Sequence, residues 1–178
     1  MLSSKAIMTE FKVILGDITG ANVDVIVNAA KPSLTGGSGV DGAIHKAAGP
    51  DVLQECIALK PHGGIRCPVG EARITGPGQL QCKFIIHTVG PIYKDCREPE
   101  AFLKQSYINS IELALKHKCK SIAFPAISCG KYGYPHDEAI DIAFSSLNPY
   151  LGRGIQVYFY VFDRDLYLKY LNKLSSIE

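Results

Sequence analysis

Short apolar runs rich in Val, Ile, Phe and Tyr alternate along the chain with longer segments of helical periodicity. Six of the runs are predicted strands: Phe11–Leu15, Val23–Asn28, Glu71–Thr75, Phe84–Val89, Ser121–Pro125 and Ile155–Phe162. Five segments are predicted helices: Val40–Ala48, Pro50–Leu59, Pro99–Lys116, Asp137–Leu147 and Asp165–Leu174. Several strands are apolar on both faces, as strands are when helices cover both sides of a sheet. The pattern therefore predicts a three-layer α/β/α fold with a mixed, largely parallel central sheet.

The length of the chain indicates one domain, and its charge balance indicates no strong overall electrostatic field. The 178 residues are 47% apolar, which suits a single domain over residues 1–178 with a core from about 11 to 174. The 19 Lys and Arg nearly balance the 17 Asp and Glu. Nucleic acid and membranes are therefore unfavourable partners, and any anion must be bound locally. Because no apolar run reaches signal-peptide or membrane-span length, we expect a soluble, cytoplasmic protein.

The six cysteines give little sign of a metal site. They stand at positions 56, 67, 82, 96, 119 and 129, at least ten residues apart, so no compact zinc-ligand spacing occurs. His62 and Cys67 share a Gly/Pro-rich loop, but two ligands are too few. We predict free thiols and no metal.

A first glycine-rich loop, Gly36 to Gly42, follows the predicted strand Val23–Asn28. Its glycines let the backbone approach a ligand, and the helix that follows offers unpaired amides to an anion. The spacing fits neither a P-loop nor a dinucleotide fingerprint. Asp41 lies in the first turn of the helix, where complementing the helix dipole is one explanation, and His45 follows on the same face.

A second loop, Ser128 to Gly133, repeats the strand, glycine turn and helix arrangement. It presents backbone amides together with Ser128 and Lys131, although an ordinary connection between a strand and a helix is an alternative. Two such loops at the carboxyl ends of strands would hold two phosphates. Asp17 is suited either to accept a hydrogen bond from an exocyclic amine of a base or to form a turn. Phe162 is suited either to stack on a base or to close the core.

Four segments in this order resemble a macrodomain of the MacroD type: Gly16–Thr19, Val25–Ala30, Gly36–Gly42 and Ser128–Pro135. The resemblance covers roughly residues 11 to 174, and Gly39–His45 is typical of the MacroD branch. It implies ADP-ribose binding, with hydrolysis of mono-ADP-ribose from acidic side chains and of O-acetyl-ADP-ribose. We expect no metal and no cofactor. The expected partners are ADP-ribose and ADP-ribosylated proteins or O-acetyl-ADP-ribose, and we expect a monomer.

The resemblance also implies roles for individual residues. Asp17 would bind the adenine amino group with help from the backbone of Ile18, and Phe162 would lie near the adenine. Asp41 would face the distal ribose as the catalytic residue, supported by His45. The remaining expected ligand-binding residues are Asn28 and Lys31, with Gly37, Ser38, Gly39 and Val40 on one side of the diphosphate and Ser128, Cys129, Gly130, Lys131 and Tyr132 on the other.

The implied chemistry needs a carboxylate beside an anomeric carbon. Breaking an ester there develops oxocarbenium character, which a phosphate and a carboxylate stabilise while one of them orients water. With its usual pKa of about 3.9 and a helix N-terminus nearby, Asp41 is expected to be ionised at neutral pH.

Four positions depart from the family pattern. Lys31 stands where a second asparagine is usual; lysine has no acceptor, so orientation of the distal ribose and turnover are in question. Ser38 replaces a glycine, and Cys129 and Lys131 replace a Thr and a small apolar residue. With no base assigned to it, Cys129 is interpreted as a plain thiol and not a nucleophile.

Four functions stay open on the sequence. The first is an ADP-ribosyl-ester hydrolase or O-acetyl-ADP-ribose deacetylase, favoured by Asp41 and His45. The second is a module that reads ADP-ribose with little turnover, favoured by Lys31. Phosphatase action on ADP-ribose 1″-phosphate would use the same pocket, and RNA binding is disfavoured by the near-neutral charge.

Overall fold

A computed structural model describes residues 11–177 of the chain, and these residues build one six-stranded sheet. Its strands are β1 (Phe11–Leu15), β2 (Val25–Ala29), β3 (Ala72–Thr75), β4 (Phe84–Thr88), β5 (Ser121–Phe124) and β6 (Gln156–Val161). Their order is β1-β6-β5-β2-β4-β3. All neighbours pair in parallel except β3, which runs antiparallel to β4 at the edge. The predicted mixed, largely parallel sheet is confirmed.

Helices cover both faces of the sheet. They are α1 (Gly39–Ala48), α2 (Pro50–Ala58), α3 (Pro99–Lys116), α4 (His136–Leu147) and α5 (Arg164–Ser176). One buried cluster joins α3, α4 and α5 to one face, and a second joins α1 and α2 to the other. Val25 and Val27 belong to the first cluster while Ile26 belongs to the second, because successive strand residues face opposite ways. The three predicted layers are therefore present.

The same alternation places polar side chains beneath α1 and α2. Ile26 and Ile85 are register partners in β2 and β4, and both lie in the cluster under these helices. Asn28 and His87 are the register partners two residues later, so they lie on the same face. Both are fully buried. This register brings two polar groups to the carboxyl ends of adjacent strands.

The predicted elements differ from the observed ones only at their ends. The strand predicted over Val23–Asn28 begins at Val25 and includes Ala29, and the last strand ends at Val161. Phe162 therefore lies just beyond β6. Helix α1 begins one residue earlier than predicted, at Gly39, because the glycine-rich loop turns directly into the helix.

Candidate functional site

The two glycine-rich loops meet at one edge of the sheet. One follows β2 and the other follows β5, and these strands are parallel neighbours, so both loops leave from the same edge. A hydrogen bond joins them, with Lys131 Nζ donating to Ser38 Oγ over 3.0 Å. Both loops therefore lie side by side at this edge, and we call the stretch of edge that they border the cleft.

Backbone amides line both sides of the cleft. Gly39, Val40 and Asp41 begin α1, and their amides lie before the first bond of the helix, in which Gly42 N donates to Ser38 O. In the second loop, the amides of Gly130, Lys131 and Tyr132 donate to no protein atom among residues 11–177. Such amides at the start of a helix and in a turn bind anionic oxygens.

Close backbone contacts shape the first loop. A Cβ on Gly42 would lie 2.5 Å from Gly37 O, and one on Gly37 would lie 3.0 Å from Asp41 Oδ2. Because the Gly42 contact is with backbone, only glycine there lets the loop fold back onto α1, whereas a side chain at Gly37 would press on the Asp41 carboxylate. Ser38 has an ordinary φ of −105°, so the serine that replaces glycine there is accommodated without backbone strain.

Ser128 contributes to the second loop differently from what its hydroxyl suggests. The residue is buried, with a φ of +63°, and its Oγ donates to Pro91 O over 2.8 Å. A Cβ on Gly90 would lie 2.3 Å from that Oγ, so Gly90 makes room for it. The hydroxyl thus anchors the loop, and the expectation that it adds to an anion site is wrong for the side chain.

Asp41 is held at the inner end of the cleft by a buried amide. Only 6% of the residue is exposed, and its Oδ1 accepts from Asn28 Nδ2 over 2.8 Å. His45, one turn later in α1, places Nε2 3.4 Å from the same oxygen. Since the carboxylate binds a neighbouring strand, complementing the helix dipole does not account for its placement.

The ionisation of Asp41 corrects a simpler expectation. Burial raises the pKa of this carboxyl above its ordinary value, while the bond from Asn28 and the charges of His45 and Lys31 act to lower it. The sequence alone predicts an unperturbed pKa for Asp41 beside a favourable helix N-terminus. It does not report the desolvation, because the burial of Asp41 depends on how α1 packs on the sheet.

His87 is a functional candidate that the sequence argument did not single out. Its Nδ1 lies 3.1 Å from Asn28 Nδ2, and its Nε2 lies 2.9 Å from Thr75 Oγ1. Burial, with a smaller effect of His45, lowers the pKa of His87 to about 3, so the ring is neutral. A histidine within the otherwise apolar run Phe84–Val89 was the available signal.

Three potential metal ligands lie behind Asp41. The ligand atoms of His45, Cys56 and His87 all lie within 4.8 Å of one another. Burial raises the pKa of Cys56 to about 11, so its thiol stays protonated at neutral pH. His87 Nε2 already faces Thr75. Cys56 Sγ also lies 3.7 Å from His87 Nε2, whereas His45 Nε2 is buried without a hydrogen-bond partner among the described residues. Because the thiol is protonated and His87 is hydrogen-bonded, we assign no metal to the group.

Apart from Cys56, the thiols and the histidine loop considered in the sequence are distinct from this group. All six cysteines are free. His62 lies in an exposed hairpin with Ile65, whereas Cys67 is fully buried. Burial raises the pKa of Cys129 to about 12, which agrees with its interpretation as an unreactive thiol.

A separate group of residues lies at the far end of the sheet edge, where β1 and β6 end. Gly16 N donates to Val161 O, which places Asp17 beside Phe162. Asp17 Oδ1 accepts from both the amide and the hydroxyl of Thr19, so the turn explanation holds for that oxygen. Phe162 is 75% exposed and does not close the core. An exposed ring and a second carboxylate oxygen remain for a ligand.

Lys31 and Tyr132 border the cleft near Asp41. Lys31 is exposed and close enough for its charge to lower the pKa of Asp41. Burial and the charge of Asp41 raise the pKa of Tyr132, which brings the second loop within electrostatic reach of the carboxylate. The structure thus gathers Asn28, Lys31, Asp41, His45 and the two loops, and leaves Asp17, Ile18 and Phe162 at the opposite end.

This arrangement defines a class: an α/β/α domain whose carboxyl sheet edge carries two loops with unpaired amides, a buried carboxylate and an exposed aromatic ring. The Macro domain family matches residues 27–143. The chain belongs to the Macro domain family.

Individual relatives are similar over nearly their whole length. The chain is 48% identical to the O-acetyl-ADP-ribose deacetylase of Citrobacter rodentium, covering 92% of this chain and 94% of that protein. It is 46% identical to the protein of that name from Escherichia coli K12, covering 88% and 90%.

Two solved structures are similar in fold. The Oceanobacillus iheyensis macrodomain with ADP has a TM-score of 0.87 and 43% identity, covering 93% of this chain and 90% of that one. The Trypanosoma brucei macrodomain in complex with ADP-ribose has a TM-score of 0.86 and 36% identity, covering 95% and 71%. Within residues 11–177, no helix has both the length and the apolar character needed to cross a membrane.

Proposed function

We propose that this chain binds ADP-ribose along the cleft and hydrolyses esters at its distal ribose. The observation that carries the proposal is the buried carboxylate of Asp41, fixed by Asn28 where the two amide-lined loops meet. Relatives named O-acetyl-ADP-ribose deacetylase and solved macrodomains with ADP or ADP-ribose support it. The substrates are O-acetyl-ADP-ribose and mono-ADP-ribose on acidic side chains of proteins.

Binding follows from the chemistry along the cleft. The unpaired amides of both loops hold the diphosphate, and Lys131 adds a positive charge beside them. The adenine stacks on Phe162, and its amino group donates to Asp17 while the amide of Ile18 assists. This orientation directs the distal ribose towards Asp41.

Hydrolysis uses the carboxylate and the bound diphosphate. Water adds to the anomeric carbon as the bond to the protein carboxylate breaks, Asp41 takes the proton of the water, and the carboxylate leaves with the electron pair. Positive charge on the ribose is stabilised by the phosphate and by Asp41. With O-acetyl-ADP-ribose, a water attacks the acetyl carbonyl while Asp41 takes its proton. The bond to the ribose oxygen then breaks, that oxygen receives the proton from Asp41 to become a hydroxyl, and acetate is released. His45 supports the orientation of Asp41 over 3.4 Å.

The setting of this activity also belongs to the proposal. Six free cysteines suit a reducing compartment, so we place the protein in the cytoplasm. We also propose that the protein is a monomer.

A reader of ADP-ribose with little turnover is the second candidate, and Lys31 favours it. This exposed cation borders the cleft near Asp41, where it attracts the diphosphate but offers no amide to orient the ribose. Binding would then persist while the hydrolytic geometry is lost.

One experiment separates the two candidates. A protein carrying mono-ADP-ribose on glutamate, and O-acetyl-ADP-ribose, are incubated with wild type, Asp41→Ala and Lys31→Asn. Asp51→Ala is the matched control for the carboxylate, because Asp51 is the acidic residue in the first turn of α2. Lys60→Asn, at an exposed loop position, is the control for the lysine.

Release by wild type and Asp51→Ala but not by Asp41→Ala is the expected result. Calorimetry with free ADP-ribose should give micromolar affinity, about 8 kcal/mol. Tight binding without release, restored by Lys31→Asn and not by Lys60→Asn, would favour the reader. No binding at millimolar ADP-ribose would contradict the assignment of the cleft.

A further inference from the structure

A chain of buried polar groups runs from Asp41 into the sheet. Asn28 Nδ2 lies 2.8 Å from Asp41 Oδ1 and 3.1 Å from His87 Nδ1. His87 Nε2 lies 2.9 Å from Thr75 Oγ1, and the Thr75 hydroxyl donates to the Gly76 carbonyl over 3.1 Å. Asn28 and His87 are fully buried and Thr75 is 4% exposed. With so little solvent contact, these groups depend on one another for partners, and Asn28 Oδ1 has none among the described residues.

The direction of the other bonds follows once the Thr75 hydroxyl donates to the Gly76 carbonyl, which can only accept. The Thr75 oxygen is then left to accept from His87 Nε2–H, and Cys56 Sγ lies 3.7 Å from the same Nε2. Neutral histidine carries one ring proton, so Nδ1 is an acceptor. Asn28 therefore turns its NH₂ group towards His87, and the second hydrogen of that group is directed at Asp41.

The opposite direction would put the wrong atom against Asp41. If Nδ1 of His87 carried the proton, Asn28 would have to flip and present its oxygen to both neighbours. That oxygen would face Asp41 Oδ1 at the 2.8 Å contact, which is repulsive unless the carboxyl is protonated. The reversed chain would also take the Thr75 proton away from Gly76. The tautomer of His87 thus selects between an ionised and a protonated Asp41.

We propose that His87, held as the Nε2–H tautomer by Thr75, is a positioning residue that fixes the Asn28 amide and thereby the ionised carboxylate of Asp41. The role in turnover rests on the proposed hydrolytic function. His87 does not contact the cleft and acts only through Asn28. The register of β2 and β4 makes this possible, because Asn28 and His87 are direct partners across the two strands.

Other groups face Asp41 and set the background for any pH dependence. His45 lies on its own helix, Lys31 on the segment after β2 and Tyr132 on the second loop. Cys56 of α2 is also within electrostatic reach of Asp41. Thr75 contacts none of them among the described hydrogen bonds except through His87, so a change at Thr75 tests the polar chain selectively.

The direct test is the tautomer of His87, read from long-range ¹H–¹⁵N spectra of the whole protein. Wild type should show a neutral ring with the proton on Nε2. Thr75→Val keeps the side-chain shape and removes the acceptor, so we expect a mixture of tautomers. Thr88→Val is the matched control, because Thr88 is also buried in the sheet and donates to a backbone carbonyl, that of Glu71. A proton on Nδ1 in wild type would overturn the proposal.

Kinetics test the consequence for Asp41. In Thr75→Val we expect kcat to fall roughly tenfold, because His87 and Asn28 no longer hold the Asp41 carboxylate in one orientation. ADP-ribose affinity should stay within about twofold of wild type. The acid limb of the kcat profile should move to higher pH, because Asn28 no longer holds the pKa of Asp41 down. His87→Asn, which keeps an acceptor near Nδ1, should retain more activity than His87→Leu.

The outcomes separate this proposal from the proposed function. If wild type hydrolyses neither ester, the hydrolytic function fails, and the pKa of Asp41 from ¹³C carboxylate shifts in wild type and Thr75→Val decides the role of His87. If the pKa of Asp41 is the same in Thr75→Val as in wild type, the proposed role of His87 is refuted. In an active protein, an unchanged kcat and an unchanged pH profile in Thr75→Val would refute it as well. If Thr75→Val does not fold, the wild-type tautomer and the comparison of His87→Asn with His87→Leu decide.

Discussion

Replacing Gly42 by alanine probes how closely the first loop is fitted to its helix. The added Cβ would lie 2.5 Å from Gly37 O, whereas ordinary contacts begin at 3.4 Å. The obstacle is backbone and no side-chain rotation relieves it, so loop and helix must separate by about 0.9 Å. Gly37 lies beside Asp41, since a Cβ on Gly37 would be 3.0 Å from Asp41 Oδ2. The displacement therefore occurs next to the carboxylate.

Two opposing effects on stability make the change small. Alanine is favoured over glycine within a helix by about 1 kcal/mol. Overpacking costs about 1–3 kcal/mol, so the net loss of unfolding free energy should stay below about 2 kcal/mol. The effect on activity should be larger, because a misplacement of about 1 Å can reduce turnover about 100-fold.

The assay combines urea unfolding with steady-state hydrolysis of O-acetyl-ADP-ribose. Gly42→Ala should lose about 100-fold in kcat/KM while it stays folded. Gly20→Ala is the control, because a Cβ on Gly20 meets nothing within 4 Å. Full activity of Gly42→Ala, or a loss of activity fully explained by unfolding, would refute the reasoning that loop geometry controls Asp41.

Three further predictions concern the pH dependence of stability, the lysine of the second loop and the exposed aromatic ring. Folding lowers the pKa of His87 from 6.5 to about 3, so the unfolded chain binds more protons between these values and stability is lost as pH falls through this window. Urea titrations at several pH values should show this loss for wild type and a smaller loss for His87→Asn. Lys131→Met should weaken ADP-ribose binding severalfold and reduce its salt dependence, which calorimetry at two ionic strengths would measure. Unchanged affinity and unchanged salt dependence would contradict this prediction. Ser38→Ala is the control that removes only the hydrogen bond between the two loops. Phe162→Ala should cost about 1 kcal/mol or more of ADP-ribose binding free energy, because base stacking is lost. Leu168→Ala, which truncates another exposed apolar side chain, should cost none. Equal affinities of Phe162→Ala and wild type in calorimetry would exclude stacking.

Local patterns were sufficient for the elements and for most of the cleft. Apolar runs of strand length and helical spacing report how each segment is buried, so six strands and five helices could be predicted with errors only at their ends. The glycine loops could be located as well, because the turn into a helix needs glycine at particular positions. Asp41 was assigned to the reactive end by the resemblance to MacroD-type macrodomains, because its place in the first turn of a helix is also explained by complementing the helix dipole.

The details of the site depended on contacts that no local pattern reports. The Ser128 hydroxyl is directed at Pro91, 37 residues earlier in the chain, and not at the cleft. Lys131 reaches Ser38 across 93 residues, so two departures from the family pattern form one bridge. The Lys131 contact results from β2 and β5 being neighbours in the sheet, and the Ser128 contact joins the segments that follow β4 and β5, the two strands on either side of β2.

The sequence by itself determined the class of fold, the two loops and the carboxylate between them, because hydrophobic periodicity and glycine placement act over a few residues. Only the tertiary structure decided the state of that carboxylate. Burial under α1 raises the pKa of Asp41, and the register of β2 with β4 aligns Asn28 and His87 behind it. Desolvation and hydrogen-bond direction both depend on which distant groups surround an atom, and folding brings those groups together.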